Sequence, residues 1–247
     1  MTRIDSYEDL TDNIVGWLKD YYWMHNVKAF VVGVSGGIDS AVVSSLCART
    51  GLPTYVVCMP LESKFENTKL SDAHSKALVE KYDNVKRIEV ELFSAYDSLI
   101  KSIEWWSEAQ HFDKREFTSS DHAKANTKSR MRMVTLYQIA GSVGGIVVGT
   151  GNKVEDYGVG FYTKYGDGGV DIAPIADLYK TEVWELGEYL EVDQRIVDAD
   201  PTDGLWIDSR SDEEQLGASY AELEEAMETG TGPAVDVLKK FNEQNKH

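Results

Sequence analysis

Four short apolar runs, KAFVVGV (28–34), PTYVVCM (53–59), KRIEV (86–90) and GIVVG (145–149), alternate with longer stretches whose apolar residues recur at helical spacing. Runs of this length, rich in valine and isoleucine and bounded by glycine, proline or polar residues, read as strands covered on both faces. Strands that alternate with helices pair in parallel through right-handed crossovers. An α/β fold is therefore expected, with a parallel sheet and helices on its faces. Leu10, Ile14, Trp17, Leu18 and Tyr21 place a first helix over 7–24. Further helices are expected over 39–50, 69–82, 94–108, 126–141, 177–190, 211–228 and 233–246. The polar stretch 109–125 and the stretch 157–174, rich in glycine and aromatics, read as loops.

The chain has 247 residues and a formal net charge of -17. One domain over 1–247 is expected, with a core large enough to fold unaided. The acidic balance argues against broad nucleic-acid binding, which relies on basic surface against phosphate. No apolar run approaches the ~18 residues of a membrane span, and MTRIDSYEDL, which lacks a basic segment followed by an apolar one, is not expected to act as a secretory leader. Two cysteines, Cys47 and Cys58, lack metal-type spacing, so a reduced, cytoplasmic protein is expected.

Parallel sheets bind ligands outside the carboxyl ends of their strands. Two loops occupy such ends, 35–40 and 150–155. The first lies in VVGVSGGIDS (31–40). Gly36 and Gly37 let backbone N–H groups approach a phosphate, and the helix that follows adds its positive end. Gly33, Val34 and Ile38 frame the loop, and Ser35 and Ser40 add hydroxyls. The Gly-Lys-Ser/Thr ending of a Walker A loop is absent. Asp39 is a carboxylate where an anion is expected. It either caps the helix or faces a cation placed between it and the phosphates.

The SGGIDS string resembles the pyrophosphate loop of the N-type ATP pyrophosphatase superfamily. Three further stretches, ANTKSRMRMVTLYQIA (125–140), VVGTGNKVEDYGVGFYTKYGDGGVDIAPIADLYKTEVWELG (147–187) and ADPTDGLWIDSRSDEEQLG (199–217), resemble the NAD synthetase family in motif, order and spacing. The resemblance implies a three-layer doubly wound sheet of the adenine nucleotide alpha hydrolase type. It also implies an ammonia-dependent ligase that amidates deamido-NAD through an adenylate, releasing AMP and pyrophosphate, with no amidase domain ahead of the synthetase domain. Mg²⁺ is the implied cofactor, ATP the co-substrate, and a homodimer with acceptor sites at its interface the implied assembly.

Carried over residue by residue, the resemblance implies that the loop Gly33–Ser40, Thr150, Lys180 and Thr202 contact ATP. Asp39 and Glu155 become Mg²⁺ ligands, and Asp39 and Lys180 the catalytic pair. Arg130, Lys164 and Asp171 become contacts of deamido-NAD, with Asn126, Tyr137 and Tyr21 in the same pocket. His247 falls on a histidine of the family's terminal His-Lys pair, and the lysine after it is absent. The Cys58–Lys64 stretch lacks the family's adenine-contacting arginine and glutamine. The loop near 200–216 is expected to close over the intermediate. Helix 7–24, with Trp17, Tyr21, Tyr22 and Trp23, and helix 126–140 are the expected dimer surfaces. Plainer readings stand beside these: Lys128, Arg130 and Arg132 as a solvated basic face, Lys180 on a helix surface, Tyr137 in the core, Glu155 an ordinary loop acid. A GMP synthetase-like enzyme and an inactive nucleotide-binding protein are the alternative functions.

Overall fold

The computed structural model describes residues 3–61, 65–109, 120–202 and 211–244. Within them, four strands form one parallel sheet: β1 (Phe30–Gly33), β2 (Thr54–Cys58), β3 (Val85–Glu89) and β4 (Ile146–Val148), in the order β3-β2-β1-β4. The register is Phe30 with Thr54 on one side of β1 and Phe30 with Ile146 on the other. β1 is therefore the strand at which the winding reverses, and the crevice between the ends of β1 and β4 is the place such sheets bind ligands.

Alternation along β1 divides the core. Phe30 and Val32 face α1 (Tyr7–Met24), α2 (Ile38–Arg49) and α6 (Lys180–Tyr189), through Leu18, Leu46 and Leu186. Val31 faces α5 (Asp121–Val143), through Met133, Leu136 and Ala140, together with Tyr96 of α4 (Phe93–Ala109). On the α2 side, α3 (Phe65–Lys81) covers Val56 and Cys58 through Leu78. The three layers are those expected. A separate apolar cluster joins a π-helical turn (Val154–Val159) to α9 (Tyr220–Thr229) and α10 (Val235–Gln244) through Val154, Leu223 and Leu238.

Several boundaries depart from the sequence reading. α5 starts at Asp121, inside the stretch read as a loop, because the Ser120 hydroxyl accepts the Ala123 N–H at 3.2 Å. Residues 154–159 form the π-helical turn where loop was expected from 157. α6 begins at Lys180 rather than 177, where the Glu182 carboxylate accepts the Tyr179 N–H at 2.8 Å. The single helix expected over 211–228 is two, α8 (Asp212–Leu216) and α9, parted by Gly217 at φ 80°. A short α7 (Gln194–Val197) was not expected. No helix among the described residues is long and apolar enough to cross a membrane.

Candidate active site

The Ser35–Ser40 loop leaves β1 and enters α2, whose N-cap is Gly37 with no side-chain cap. Asp39 thus does not cap the helix. The loop is braced from within: the Ser40 hydroxyl donates to the Gly37 carbonyl at 2.9 Å and accepts the Ser35 N–H at 3.1 Å, and the Ser35 hydroxyl accepts the Gly37 N–H at 3.2 Å. The two hydroxyls expected to meet phosphate are thus engaged inside the loop. Gly36 has φ 93° and lies against the backbone of Asn67 at the start of α3.

Asp39 turns toward the loop after β4. Its Oδ2 accepts Lys180 Nζ at 2.6 Å, and its Oδ1 accepts Asn152 Nδ2 at 3.0 Å. The same Lys180 Nζ donates to Glu155 Oε1 at 2.9 Å, and the Tyr220 hydroxyl donates to that oxygen at 2.8 Å. Only 3% of the Lys180 side chain is exposed, so the surface-residue reading fails. Two carboxylates from different strand ends converge on one buried cation.

The electrostatics follow from burial and crowding. Burial pushes the Glu155 carboxyl up; Lys180 opposes this and Asp39 adds to it. Burial works against the charge on Lys180, but Asp39 and Glu155 outweigh it and hold the amine protonated above its ordinary range. Asp156 is pushed up to about 7, by burial first and then by Glu155, Asp167 and Asp39. Its carboxylate rests on Gly151, where a Cβ would lie 2.2 Å from Oδ2, so any larger residue at 151 would have to displace the Asp156 carboxylate. Burial and then Glu155 keep the Tyr220 hydroxyl protonated well above the usual tyrosine range. Excess carboxylate around one lysine leaves the cluster short of positive charge, which suits a hard cation beside Asp39 and Glu155. No group of three or more His, Cys, Asp or Glu among the described residues is arranged to hold a metal. A cation held here would have only these two protein carboxylates and would need phosphate oxygen or water for its other positions.

A cleft of about 560 Å³ opens over the loop, lined by Gly33 to Ser40, Thr150, Glu155, Lys180 and Thr202. Every residue expected to touch ATP or its metal therefore lines this cleft, and together they are its ATP wall. Met59, Pro60, Met133 and Leu136 add an apolar portion to the lining, and Met59 and Leu136 lie against Gly33. Asn67 Nδ2 donates to the Thr202 hydroxyl at 3.4 Å across the mouth.

The residues expected to hold the acceptor gather on a second surface, along α5 and the turn that follows the π-helical segment. Arg130 Nε donates to the Lys164 carbonyl at 3.0 Å, the Tyr137 hydroxyl to Asp171 Oδ1 at 3.1 Å, and the Thr163 hydroxyl to Asn126 Oδ1 at 2.8 Å. Tyr137 is 41% exposed, so it is not core. Its hydroxyl is pushed up to about 12 by burial and Asp171. Ser129 and Asp167 bond each other at 2.6 Å and line the cleft, tying this surface to the ATP wall. Lys128 is buried, Arg130 exposed and Arg132 in the cleft wall, so the three do not form one solvated face. Tyr21 packs against Trp17 and His25 on α1, across the sheet from this group. His247 and the central part of the loop expected to close, 203–210, lie outside the described residues. Sequence reasoning missed Asn152, Asp156 and Tyr220; Asn152 sits in GTGN, directly after the strand end that was singled out.

Comparison with known proteins bears on the fold and the family. A family model described as NAD synthase matches residues 10–246. The NH(3)-dependent NAD(+) synthetase of Carboxydothermus hydrogenoformans is 35% identical over 245 residues, 98% of this chain and 95% of the relative. Among solved structures, the NMN synthetase of Francisella tularensis superposes with a TM-score of 0.87 at 31% identity, over 99% of this chain and 96% of that one. The NH3-dependent NAD synthetase of Campylobacter jejuni gives 0.74 at 25% identity, over 97% and 95%.

Proposed function

The chain belongs to the NAD synthase family, and we propose that it uses ATP and ammonia to amidate deamido-NAD, giving NAD, AMP and pyrophosphate. The carrying observation is the meeting of Asp39 and Glu155 at Lys180, at the end of a glycine loop inside a cleft.

The acceptor carboxylate attacks the α-phosphate of ATP, held by the backbone of the Ser35–Ser40 loop and the positive end of α2. Pyrophosphate leaves, and ammonia then displaces AMP from the acyl-adenylate. Lys180 places its ammonium beside the transferring phosphate and compensates the charge that builds there. Asp39 and Glu155 would hold Mg²⁺; when bound, it supplies neutralisation of the phosphate oxygens. Arg130, Lys164, Tyr137, Asn126 and Asp171 bind the acceptor, next to the ATP wall through Ser129 and Asp167. The ammonia is free in solution, in keeping with the relatives' description as NH(3)-dependent, and the synthetase unit is one domain. Cys47 and Cys58 are free and buried, which supports a reducing compartment such as the cytoplasm.

A homodimer accounts for the position of Tyr21. The exposed Trp23 on α1 and the exposed Val134 and Tyr137 on α5 support these two helices as the joining surfaces. Such an interface would bring α1 of a second copy to the acceptor surface. Light scattering in solution tests the assembly.

A second reading of the acceptor rests on the higher TM-score with an NMN synthetase. In it the amidated carboxylate belongs to the mononucleotide. Incubation with ATP, Mg²⁺, ammonium and either deamido-NAD or nicotinic acid mononucleotide separates the two. NAD with stoichiometric pyrophosphate is expected from the dinucleotide. Faster turnover of the mononucleotide would transfer the assignment to that substrate, and no amide product from either would overturn both. Asp39→Ala is expected to abolish turnover with the fold intact; near-normal turnover would refute the role of Asp39.

A further inference from the structure

Asn152 has no exposed surface and is absent from the cleft wall. Its amide nevertheless meets three groups of the site. Nδ2 donates to Asp39 Oδ1 at 3.0 Å, while Oδ1 accepts the N–H of Val154 at 3.0 Å and that of Glu155 at 3.1 Å. These partners fix which end is which: two N–H groups demand an acceptor, and a carboxylate demands a donor. The backbone around it is held as well. The Asn152 carbonyl accepts the Asp156 N–H at 3.0 Å, and the Lys153 N–H is held by the Leu178 carbonyl at 2.8 Å.

We infer that Asn152 is the positioning residue that sets Asp39 and Glu155 relative to each other, and thereby shapes the cation site between the two strand ends. Its oxygen caps the turn that carries Glu155, and its nitrogen aims the carboxylate of Asp39, 113 residues away. Lys180 joins the two carboxylates directly, so Asp39 is held at Oδ1 by Asn152 and at Oδ2 by Lys180, while Glu155 is held at its backbone N–H by Asn152 and at its carboxylate by Lys180. Of the ordinary side chains, aspartate would keep the cap and set a like charge against Asp39. Leucine would strand two buried N–H groups. The inference rests on the reading that Asp39 and Glu155 hold a divalent cation; it is indifferent to which acceptor is amidated.

The test separates the cap from the hold on Asp39. Serine caps as well as asparagine does, but its hydroxyl is too short to serve both the turn and the carboxylate. Mn²⁺ binding is followed by electron paramagnetic resonance with α,β-methylene ATP, which cannot be cleaved at the α-phosphate. Asn152→Ser is expected to remain folded and to bind Mn²⁺ roughly 10–100-fold more weakly, the usual effect of losing a partner that orients a metal ligand. In the amidation assay its kcat recovers when Mg²⁺ is raised, which a defect of folding alone would not show. Asn152→Ala, which loses the cap too, is expected to lose both thermal stability and Mn²⁺ affinity. A folded Asn152→Ser with wild-type Mn²⁺ affinity overturns the inference, as does a loss of activity that Mg²⁺ does not restore. Wild-type protein that binds Mn²⁺ with the nucleotide yet makes no amide overturns the substrate assignment and leaves Asn152 in its role.

Discussion

Gly36 and Gly37 are adjacent in the sequence, and the structure assigns them different costs. Gly36 has φ 93°, and a Cβ there would lie 2.4 Å from the carbonyl oxygen of Asn67 and 3.2 Å from the backbone nitrogen of Ser71. Left-handed backbone costs a residue with a Cβ about 1–2 kcal/mol. Overpacking against atoms that cannot rotate away adds about 1–3 kcal/mol. The lower entropy of the unfolded alanine chain returns about 0.4–1 kcal/mol. Gly36→Ala is therefore expected to destabilise the protein by about 1–5 kcal/mol, a fall in Tm of roughly 2–18 °C for a domain of this size. It also moves the start of α3 away from the ATP loop, so KM for ATP rises. Gly37 has φ -90°, and its Cβ would meet only the Ser35 hydroxyl, at 3.5 Å. Gly37→Ala is expected to keep wild-type stability within about 1 kcal/mol, and any loss of ATP affinity in it then reports on the ligand's approach to the backbone. Differential scanning calorimetry of the two variants decides the matter. A Tm for Gly36→Ala within a degree of wild type, or an equal fall in Gly37→Ala, would refute the reasoning.

Two further outcomes follow from buried groups. His74, bonded to the Ser44 hydroxyl at 2.9 Å, is held down to about 4 by burial. Below the unfolded value of about 6.5, the unfolded chain takes up a proton that the folded one refuses. Stability is thus full above about pH 6.5 and declines as the pH falls to about 4, by up to about 3 kcal/mol; urea unfolding of His74→Gln is expected to flatten that slope, and an unchanged slope would exclude His74 as its source. Tyr220→Phe removes a hydroxyl that donates to Glu155 at 2.8 Å and is expected to cost about 1–3 kcal/mol in urea unfolding. A neutral result would mean that α9 does not hold Glu155.

The sheet and the glycine loop were legible because they rest on local signals, whereas the roles of Thr150, Glu155, Lys180 and Thr202 were reached only through motif resemblance. Strand runs broken by glycine, and SGGIDS itself, place Asp39 at a strand end whatever follows. The surface of Arg130, Lys164, Tyr137, Asn126 and Asp171 came from motif resemblance, and the hydrogen bonds among them agree with the grouping. Asn152 and Tyr220 were not legible, because each acts through a partner far along the chain and nothing local marks them. A buried asparagine after a strand reads like any turn residue until Asp39 is seen against it. The broken helix at 211–228 was misread although its signal was present. Ser211 with Glu214 and Ser219 with Glu222 are two successive capping boxes around Gly217, and each marks a start. Apolar periodicity running through both hid the gap. Ser120 before α5 is a similar case, a cap set in a stretch dominated by polar residues.

The cluster at Lys180 also bears on how the chain comes to be folded. Asp39 meets Asn152 across 113 residues and Lys180 across 141, and Glu155 meets Tyr220 across 65. β4, which brings Asn152 and Glu155 to β1, is separated from it along the chain by β2, β3 and the four helices α2 to α5. Contacts of such separation form late, since the loops they close must be ordered first. A growing chain shorter than about 220 residues carries Asp39 and Glu155 without their full set of partners. The cluster is thus completed only by a helix near the end of the chain, and nucleotide binding is expected to report that α9 has docked.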